Sequence, residues 1–491
     1  MIDPKIKDAC GVTGIIHREN QDDCNELAYL NFLCLNALQH RGQESCGIIS
    51  VNSQNQLHHE HSMGLVSHLF DEARLAKLPG HLSIGHVRYS TTGSSDLSNA
   101  QPILLRSLRH LFGHISLGHN GNLINTAKLR NHMQGQGIAL KSESDSELLA
   151  LLIEEELAKA NFSVSPSPES ILSALSAAIT KAKGAFSLCI SLGKDWLVGV
   201  RDPHGIRPLV LGRLGDDTLV LASETCALDI IGAEVLREVS PGEILIINRD
   251  LKQYSTYLPD AQSKLCLFEL IYFARPDSTI NQIQVHAFRE ALGMKLAEIA
   301  PPPGDADLVI GVPDSGTPAA IGYARSSKLP FSNGIIKNRY IGRTFIQPSQ
   351  SVRELGIRLK LNPLQEVIKD KSVVLIDDSI VRGNTPRQLV KMLRNAGAKE
   401  VHFRVSSPPI MWGCYYGINM SDEELIARRL GGEIRALCEE IEADSLAFLD
   451  LKHILSLNGI NGIEMKSYCT ACFSGLYPAG TPKDYQAYSL V

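Results

Sequence analysis

Two adjacent acids closing an apolar run, followed by a short turn, are the residues of this chain best suited to holding a phosphorylated sugar. The run is Val373-Val374-Leu375-Ile376, the acids are Asp377 and Asp378, and Ser379-Ile380-Val381-Arg382-Gly383-Asn384-Thr385 follows. The apolar residues predict a buried strand, and Pro386 with Arg387-Gln388-Leu389-Val390-Lys391-Met392-Leu393 predicts the helix after it. Carboxylates at a strand tip accept hydrogen bonds from a sugar diol. A glycine-containing turn that runs into a helix N-terminus aims backbone N–H groups at a phosphate. The pattern therefore suits a ribose 5-phosphate, the diol on the acids and the phosphate in the turn. The plain alternative is an ordinary strand–loop–helix of an α/β sheet.

Three further segments carry reactive or anion-binding side chains. Gly311-Val312-Pro313-Asp314-Ser315-Gly316-Thr317 follows a second apolar strand, and its small residues let backbone N–H groups approach a pyrophosphate. Lys337-Asn338-Arg339-Tyr340-Ile341-Gly342-Arg343-Thr344-Phe345 is basic and glycine-hinged, fit to close as a lid that excludes water. Arg358 and Lys360 beyond it could meet leaving-group charge; the alternative for these basic residues is a solvated surface strand. At the other end of the chain, Cys10-Gly11-Val12 follows nine residues with little reason to be ordered. If those nine are removed, Cys10 bears both a thiol nucleophile and a free α-amine. That amine, with an ordinary pKa of about 7.7–8.0, can serve as the local base near neutral pH.

The elements that must position these residues divide the chain in two. At 491 residues, 44% apolar and 21% charged, it has the composition of a soluble globular protein of two to three domains. A net charge of -5 without a basic tract argues against nucleic-acid binding. No apolar run approaches the ~20 residues of a membrane span, and the N-terminus lacks a signal-peptide core, so the expected location is cytoplasmic. The first 250 residues or so read as short strands with Gly and Asn turns, among them Leu82–Val87 and Trp196–Val200. Helical patterns cover Asn25 to Gln39 and Ser144 to Lys159. From about residue 265, strands alternate with helices, and Ala306–Val312 and Lys371–Ile376 are apolar enough to be parallel strands buried on both faces. Asn248 to Ser263 is the predicted linker.

Four segments in order, His40-Arg41-Gly42-Gln43-Glu44-Ser45, Gly85-His86-Val87-Arg88-Tyr89-Ser90-Thr91, His119-Asn120-Gly121-Asn122 and Ser144-Asp145-Ser146-Glu147, resemble the glutaminase domain of N-terminal-nucleophile amidotransferases. The Asp377–Thr385 run resembles the phosphoribosyl pyrophosphate (PRPP) motif of type I phosphoribosyltransferases. Over essentially its whole length the chain resembles the glutamine phosphoribosylpyrophosphate amidotransferase family. The resemblance implies an α+β N-terminal-nucleophile hydrolase (αββα) domain over 10–250, after a propeptide at 1–9. An α/β type I phosphoribosyltransferase domain with a C-terminal extension would cover 264–491. It implies that Arg88 pairs with the α-carboxylate of glutamine, Asp145 with its α-ammonium, and Asn120 and Gly121 with the oxyanion formed when Cys10 attacks the amide. Taken alone, Asn120-Gly121 also reads as a hairpin turn. On the second half it implies PRPP at Asp314, Ser315, Gly316, Lys337, Arg343, Asp377, Asp378, Ser379, Arg382, Gly383, Asn384 and Thr385, with Mg²⁺ at Ser315, Asp377 and Asp378. Ammonia would pass from Cys10 to the ribose C1 through a transient channel, giving phosphoribosylamine for purine synthesis. Inhibition by purine nucleotides and a homotetramer are further implications.

Eleven cysteines in a chain expected to be cytoplasmic do not suggest disulfides. Most lie in apolar runs and behave as small hydrophobes. Cys469-Thr470-Ala471-Cys472 is a Cys-x-x-Cys, Cys266 opens Cys-Leu-Phe-Glu, and Cys414 follows Ser406-Ser407-Pro408-Pro409. One branch of the family, which also carries a cleaved propeptide, places four cysteines in these contexts and binds a [4Fe–4S] cluster. Four thiolates meet that requirement, and a structural Zn²⁺ is the physical rival. Departures from the family pattern are also present. The phosphate loop ends Asn384-Thr385-Pro386 where Thr-Thr-Ser is usual, and proline has no N–H to offer; if that contact is normally made, its loss costs about 1.5–3 kcal/mol. Ile283-Gln284-Val285 stands where a glycine is usual, and Cys46 replaces a small alanine. The altered loop raises the alternative of a non-catalytic, nucleotide-sensing paralogue. A glutamine amidotransferase with another phosphorylated acceptor is a second alternative.

Overall fold

The computed structural model describes residues 10–18, 26–89, 96–160, 162, 166–338, 360–457 and 468–485. Residues 1–9, Arg343 with the rest of the expected lid from 339, and Arg358 lie outside them.

In the first half two antiparallel sheets stack face to face. One has seven strands in the order Glu234–Glu238, Val210–Leu214, Thr218–Ala222, Gly11–His17, Leu82–Arg88, Ser45–Val51, Leu57–Met63. The other has six, in the order Gln253–Tyr257, Glu243–Asn248, Trp196–Arg201, Gly184–Leu192, His114–Leu123, Ile103–Arg106. Successive side chains of a strand point to opposite faces, and Gly11–His17 uses both. Val12 and Ile16 join Leu197, Leu245 and Cys189 in the core between the sheets, whereas Ile15 packs with Ala28, Cys34 and Leu35 of the helix Glu26–Ala37. On the far side, Asp145–Lys159 and Pro168–Ile179 bury Leu148, Leu152, Ile171 and Leu175 against Leu117, Phe186 and Leu188. The layers are thus helix, sheet, sheet, helix, as expected of the αββα class. Leu197 is fully buried between the sheets, and truncating it to alanine should cost about 2–5 kcal/mol.

The helix predicted from Ser144 starts at Asp145 because Ser144 is its N-cap, its side chain accepting from the Ser146 N–H. Asp145 and Glu147 in the first turn complement the helix dipole. The predicted linker needs correction. Within Asn248 to Ser263, Gln253–Tyr257 is an edge strand paired to Glu243–Asn248. Its Tyr-Ser-Thr-Tyr run favours extended backbone, and Tyr254 packs on Trp196 with ring centroids 6.4 Å apart. The chain stays clamped to the first half afterwards, through Gln262 N to Pro203 O at 2.8 Å and Lys264 N to His204 O at 2.7 Å.

The second half is built on four parallel strands in the order Leu308–Gly311, Ser372–Asp377, Glu400–Val405, Ser445–Phe448. Ser372–Asp377 is buried throughout. Its Val374 and Ile376 meet the helices Val285–Ile299 and Thr317–Ser327, and its Val373 and Leu375 meet the helix Asn384–Asn395. A continuous apolar run is what a strand covered on both faces requires. The core that holds Val374 and Ile376 also takes in Ile124, Ala185 and Ile206 of the first half, so the halves share one apolar interior. Among the described residues no helix is long and apolar enough to cross a membrane.

Candidate active sites

Cys10 stands at the head of the strand Gly11–His17 and is 5% exposed. Its Sγ accepts from Tyr89 N at 3.4 Å and faces Tyr89 O at the same distance. Burial pushes the thiol above its ordinary value; the Tyr89 backbone and Arg88 pull it down, and Asp145 and Glu44 push it further up. The nucleophile, the guanidinium expected to bind a carboxylate and the carboxylate expected to bind an amine therefore share one electrostatic neighbourhood. Arg88 ends the strand Leu82–Arg88 and is 3% exposed. Asp145 Oδ2 accepts from Leu123 N at 2.9 Å, and its Oδ1 lies 3.5 Å from His119 Nδ1. Burial alone would raise the Asp145 carboxyl, but His119 and the Leu123 N–H outweigh it and hold the group below its ordinary value. It is ionised at neutral pH, as an ammonium partner must be.

Asn120 and Gly121 do not form a hairpin turn. They lie inside the strand His114–Leu123, paired with Gly184–Leu192 so that Asn120 faces Ser187 and Gly121 faces Phe186. Long-range pairing along the strand overrides the local turn preference of Asn-Gly. Gly121 has φ +148°, and a Cβ there would sit 2.0 Å from Ala185 O, so no other residue fits. The Asn120 side chain is fully buried, and among the described residues neither its Oδ1 nor its Nδ2 has a hydrogen-bond partner.

The second set of residues gathers at the carboxyl ends of the parallel strands, the usual ligand edge of such sheets. Gly311 and Ile376 are register partners. A Cβ on Gly316 would lie 2.6 Å from Ile376 O and 3.1 Å from Asp377 Cα, so glycine lets the two turns touch. Asp377 and Asp378 are each 1% exposed. Asp378 N donates to Asp377 Oδ1 at 2.9 Å, and Ser379 Oγ donates to Asp378 Oδ1 at 2.5 Å. Asp314 and Ser315 lie in the turn that Gly316 closes, and Asp314 is ion-paired to Lys337 Nζ at 2.6 Å. That pair ties the turn to the base of the expected lid, where Asn338 N donates to Lys360 O at 2.7 Å.

The helix predicted from Pro386 starts two residues earlier, because Gly383 at φ +76° caps it and Asn384 and Thr385 open it. Pro386 is the third residue, where its missing N–H breaks no intrahelical bond. Arg382 Nη2 pairs with Glu424 at 2.7 Å, while Arg382 Nε and Thr385 Oγ1 are buried without partners among the described residues. Asn384 is exposed. Arg289, which carries no role in the sequence reading, lies near Asp378; burial lowers its guanidinium to about 10, against the opposing pull of Asp378.

Cys266 and Cys469 are register partners in a two-residue parallel pair. Cys472 follows in the helix Ala471–Ser474, and its carbonyl accepts from Met411 N and Trp412 N at 3.0 and 3.1 Å. Cys414 lies just beyond, and none of the four is in a disulfide. Burial pushes the Cys266 thiol up to about 11, with Arg207 lowering it and Cys414 raising it. Cys469 and Cys472 are raised well above the ordinary thiol value by burial first and then by Cys266 and Cys414. Among the described residues, the only His, Cys, Asp or Glu group of three or more whose ligand atoms all lie within 4.8 Å of one another is Asp305, Glu400 and His402. Glu400 opens its strand, so this group belongs to the amino ends of the sheet, opposite Asp377 and Asp378.

Residues 86–229 match the family model described as a glutamine amidotransferase domain, and residues 282–407 the one described as a phosphoribosyl transferase domain. An amidophosphoribosyltransferase of Synechocystis sp. is 46% identical over 97% of this chain and 92% of that protein. One from Bacillus subtilis is 42% identical over 98% and 96%. The solved glutamine PRPP amidotransferase from B. subtilis complexed with ADP and GMP superposes with TM-score 0.84 at 42% identity, covering 96% of this chain and 97% of that one. With both domain types in order and the likeness running nearly end to end, the chain belongs to the amidophosphoribosyltransferase family.

Proposed function

We propose that this chain transfers ammonia from glutamine to PRPP, forming 5-phosphoribosylamine, glutamate and pyrophosphate, the first committed step of purine synthesis. The observation that carries the reading is the convergence of Cys10, Arg88 and Asp145 around one buried thiol, with Asn120, next to the His119 that meets Asp145, unpartnered among the described residues. Arg88 holds the glutamine α-carboxylate and Asp145 the α-ammonium. The Cys10 thiolate attacks the amide carbon, and the oxyanion takes hydrogen bonds from Asn120 Nδ2 and the Gly121 N–H. Collapse breaks the C–N bond, the nitrogen takes the proton that the Cys10 thiol gave up to its base and leaves as ammonia, and water hydrolyses the thioester to glutamate. Removal of residues 1–9 would free the Cys10 amine as the base of this half-reaction.

In the other half, Asp377 and Asp378 accept from the ribose hydroxyls. Ser379, Arg382, Gly383, Asn384 and Thr385 hold the 5-phosphate, and Asp314, Ser315 and Gly316 face the pyrophosphate, with Lys337 and, by the family resemblance, Arg343 as its cationic partners. Ammonia forms the new bond to C1 as pyrophosphate departs with the old bonding pair, inverting that carbon. Two adjacent buried carboxylates and a hydroxyl are hard oxygen donors suited to Mg²⁺, so Asp377, Asp378 and Ser315 would hold it. When bound it would offset the charge growing on the leaving pyrophosphate.

Cys266, Cys414, Cys469 and Cys472 would hold a [4Fe–4S] cluster that staples the domain junction to the C-terminal segment. Tetrahedral Zn²⁺, with sulfurs about 2.3 Å away, would bring them within about 3.8 Å of each other. The four thiols act on one another electrostatically, as ligands of a single centre must, and metal analysis separates the cluster from zinc. Purine nucleotides are the expected inhibitors, since the B. subtilis protein was solved with ADP and GMP, and a homotetramer is the expected assembly.

The test is glutamate release by anaerobically purified protein with Mg²⁺, with and without PRPP. Stimulation by PRPP is expected. Its absence, from protein whose N-terminus is Cys10, would overturn the reading in favour of a nucleotide-sensing role, an alternative the comparisons do not support.

A further inference from the structure

Four ionised side chains from distant parts of the sequence are buried together at the junction of the two halves. Arg41, Arg207, Glu224 and Glu269 are each at most 1% exposed. Arg41 Nε donates to the Cys10 carbonyl at 3.0 Å, and its Nη1 and Nη2 reach Glu269 at 3.0 and 2.8 Å. Arg41 Nη1 also meets Glu224 at 2.5 Å. Glu269 takes Arg207 Nη1 at 2.8 Å, and Arg207 spends Nε and Nη2 on the Tyr416 carbonyl at 3.0 and 2.8 Å. Tyr416 N in turn donates to Cys414 Sγ at 3.3 Å. An unbroken path of charge-assisted bonds therefore runs from the nucleophile's own main chain to the loop that bears Cys414.

The same loop touches the glutaminase half at a second point. A Cβ on Gly417 would lie 2.9 Å from Gly121 C, and Asn122 Nδ2 donates to Tyr415 O at 3.0 Å. Residues 414–417 thus brace the strand carrying Asn120 and Gly121 as well as the residue that attacks. Two guanidiniums face two carboxylates, and His40 Nε2 meets Glu224 as well, at 2.8 Å. Buried ion networks of this kind are seldom more stabilising than apolar packing of equal volume. What a guanidinium fork adds is direction, because its donors are fixed in one plane.

We infer that Arg207, Glu269 and Arg41 are positioning residues for the glutaminase reaction, setting Cys10 and the Asn120–Gly121 segment in register with the Cys414–Gly417 loop. The inference rests on the glutaminase reading above. Charge-conserving variants test it: Arg207→Lys, which keeps the cation but loses the fork, and Glu269→Asp, which keeps the anion but shortens the reach. Both are expected to lower kcat for glutamine about ten- to a hundredfold, the cost of a misplacement near 1 Å, with KM for glutamine and ammonia-dependent synthesis unchanged. A folded variant that loses both activities equally, or neither, would overturn the inference. So would failure of both variants to fold, since the network would then serve folding alone. Wild-type protein that releases no glutamate would instead overturn the glutaminase reading.

Discussion

Replacing Asn120 by alanine should separate catalysis from stability. The side chain is fully buried with neither polar atom partnered among the described residues, so the folded protein already bears the desolvation of an unsatisfied amide. Removing it relieves about 1–3 kcal/mol. The small cavity left behind costs a similar amount, below the 2–5 kcal/mol of a large aliphatic truncation, and the two offset. The thermal midpoint should therefore move little. The reaction should respond differently, because the amide finds its partner only when the glutamine carbonyl becomes an oxyanion. Loss of one such donor costs about 2.7–4 kcal/mol, or a hundred- to a thousandfold in kcat. KM for glutamine should stay close to wild type, since the lost bond belongs to the transition state. Ammonia-dependent synthesis at the other site should be unaffected. The assay is glutamate release and ammonia-dependent product formation on the same preparation, with a melting curve. A kcat within about threefold of wild type would show that Asn120 is not an oxyanion donor. Parallel loss of both activities with a lowered midpoint would make it a structural residue.

Three other perturbations follow from the same geometry. Thr385→Val removes a buried, unpartnered hydroxyl without changing shape; it should leave stability intact and raise KM for PRPP by one to two decades, from the about 1.5–3 kcal/mol of a bond to a charged group, equally with glutamine and ammonia. An unchanged KM would remove Thr385 from the phosphate site. Alkylation of Cys10 should accelerate through the alkaline range, because burial holds the thiol above its ordinary value and only the thiolate reacts. Asp145→Asn, which deletes a carboxylate that pushes the thiol up, should speed alkylation at each pH while abolishing glutamine use; a rate plateau near neutrality would refute this. Protein prepared without oxygen should carry about four irons per chain with matching sulfide. Cys414→Ser should lose them and Cys438→Ser, whose Sγ donates to Ala443 O, should not; one zinc per chain would refute the cluster.

The elements that carry the candidate site were legible because their signals are local. Ser144 before an acidic first turn marks a helix start, and Val373 to Ile376 without a polar interruption marks a strand covered on both faces. Local signals mislead where long-range pairing decides. Asn120-Gly121 has the dipeptide of a hairpin, yet its strand is held along its length by Gly184–Leu192. Gln253–Tyr257 has the polarity of a linker, yet it completes a sheet edge. The Arg41–Glu224–Glu269–Arg207 network joins positions 62 to 228 residues apart, and no periodicity reports such pairing. Its one local trace is Glu269 inside the apolar run Leu265 to Phe273. An acid there is costly unless a buried cation meets it.

Buried polar atoms without partners do not by themselves mark a binding site. Both ring nitrogens of His110 and Nε2 of His114 also lack partners among the described residues, and neither residue carries a proposed role. Asn120 differs because it shares a strand with Gly121, where a side chain cannot fit, and follows His119, whose ring lies 3.5 Å from the Asp145 carboxylate. Thr385 differs because it opens a helix whose first N–H groups have no intrahelical acceptor, next to the Arg382 Nε that is likewise unpartnered. In both places the orphan side chain can donate a hydrogen bond, and an acceptor supplied by a ligand would satisfy it. An oxyanion meets that description in the first site and a phosphate in the second. The junction network shows the opposite condition, with every ionised group matched and nothing left for a ligand. Its place is therefore between the sites, where fixed geometry rather than unsatisfied charge is what the chemistry requires.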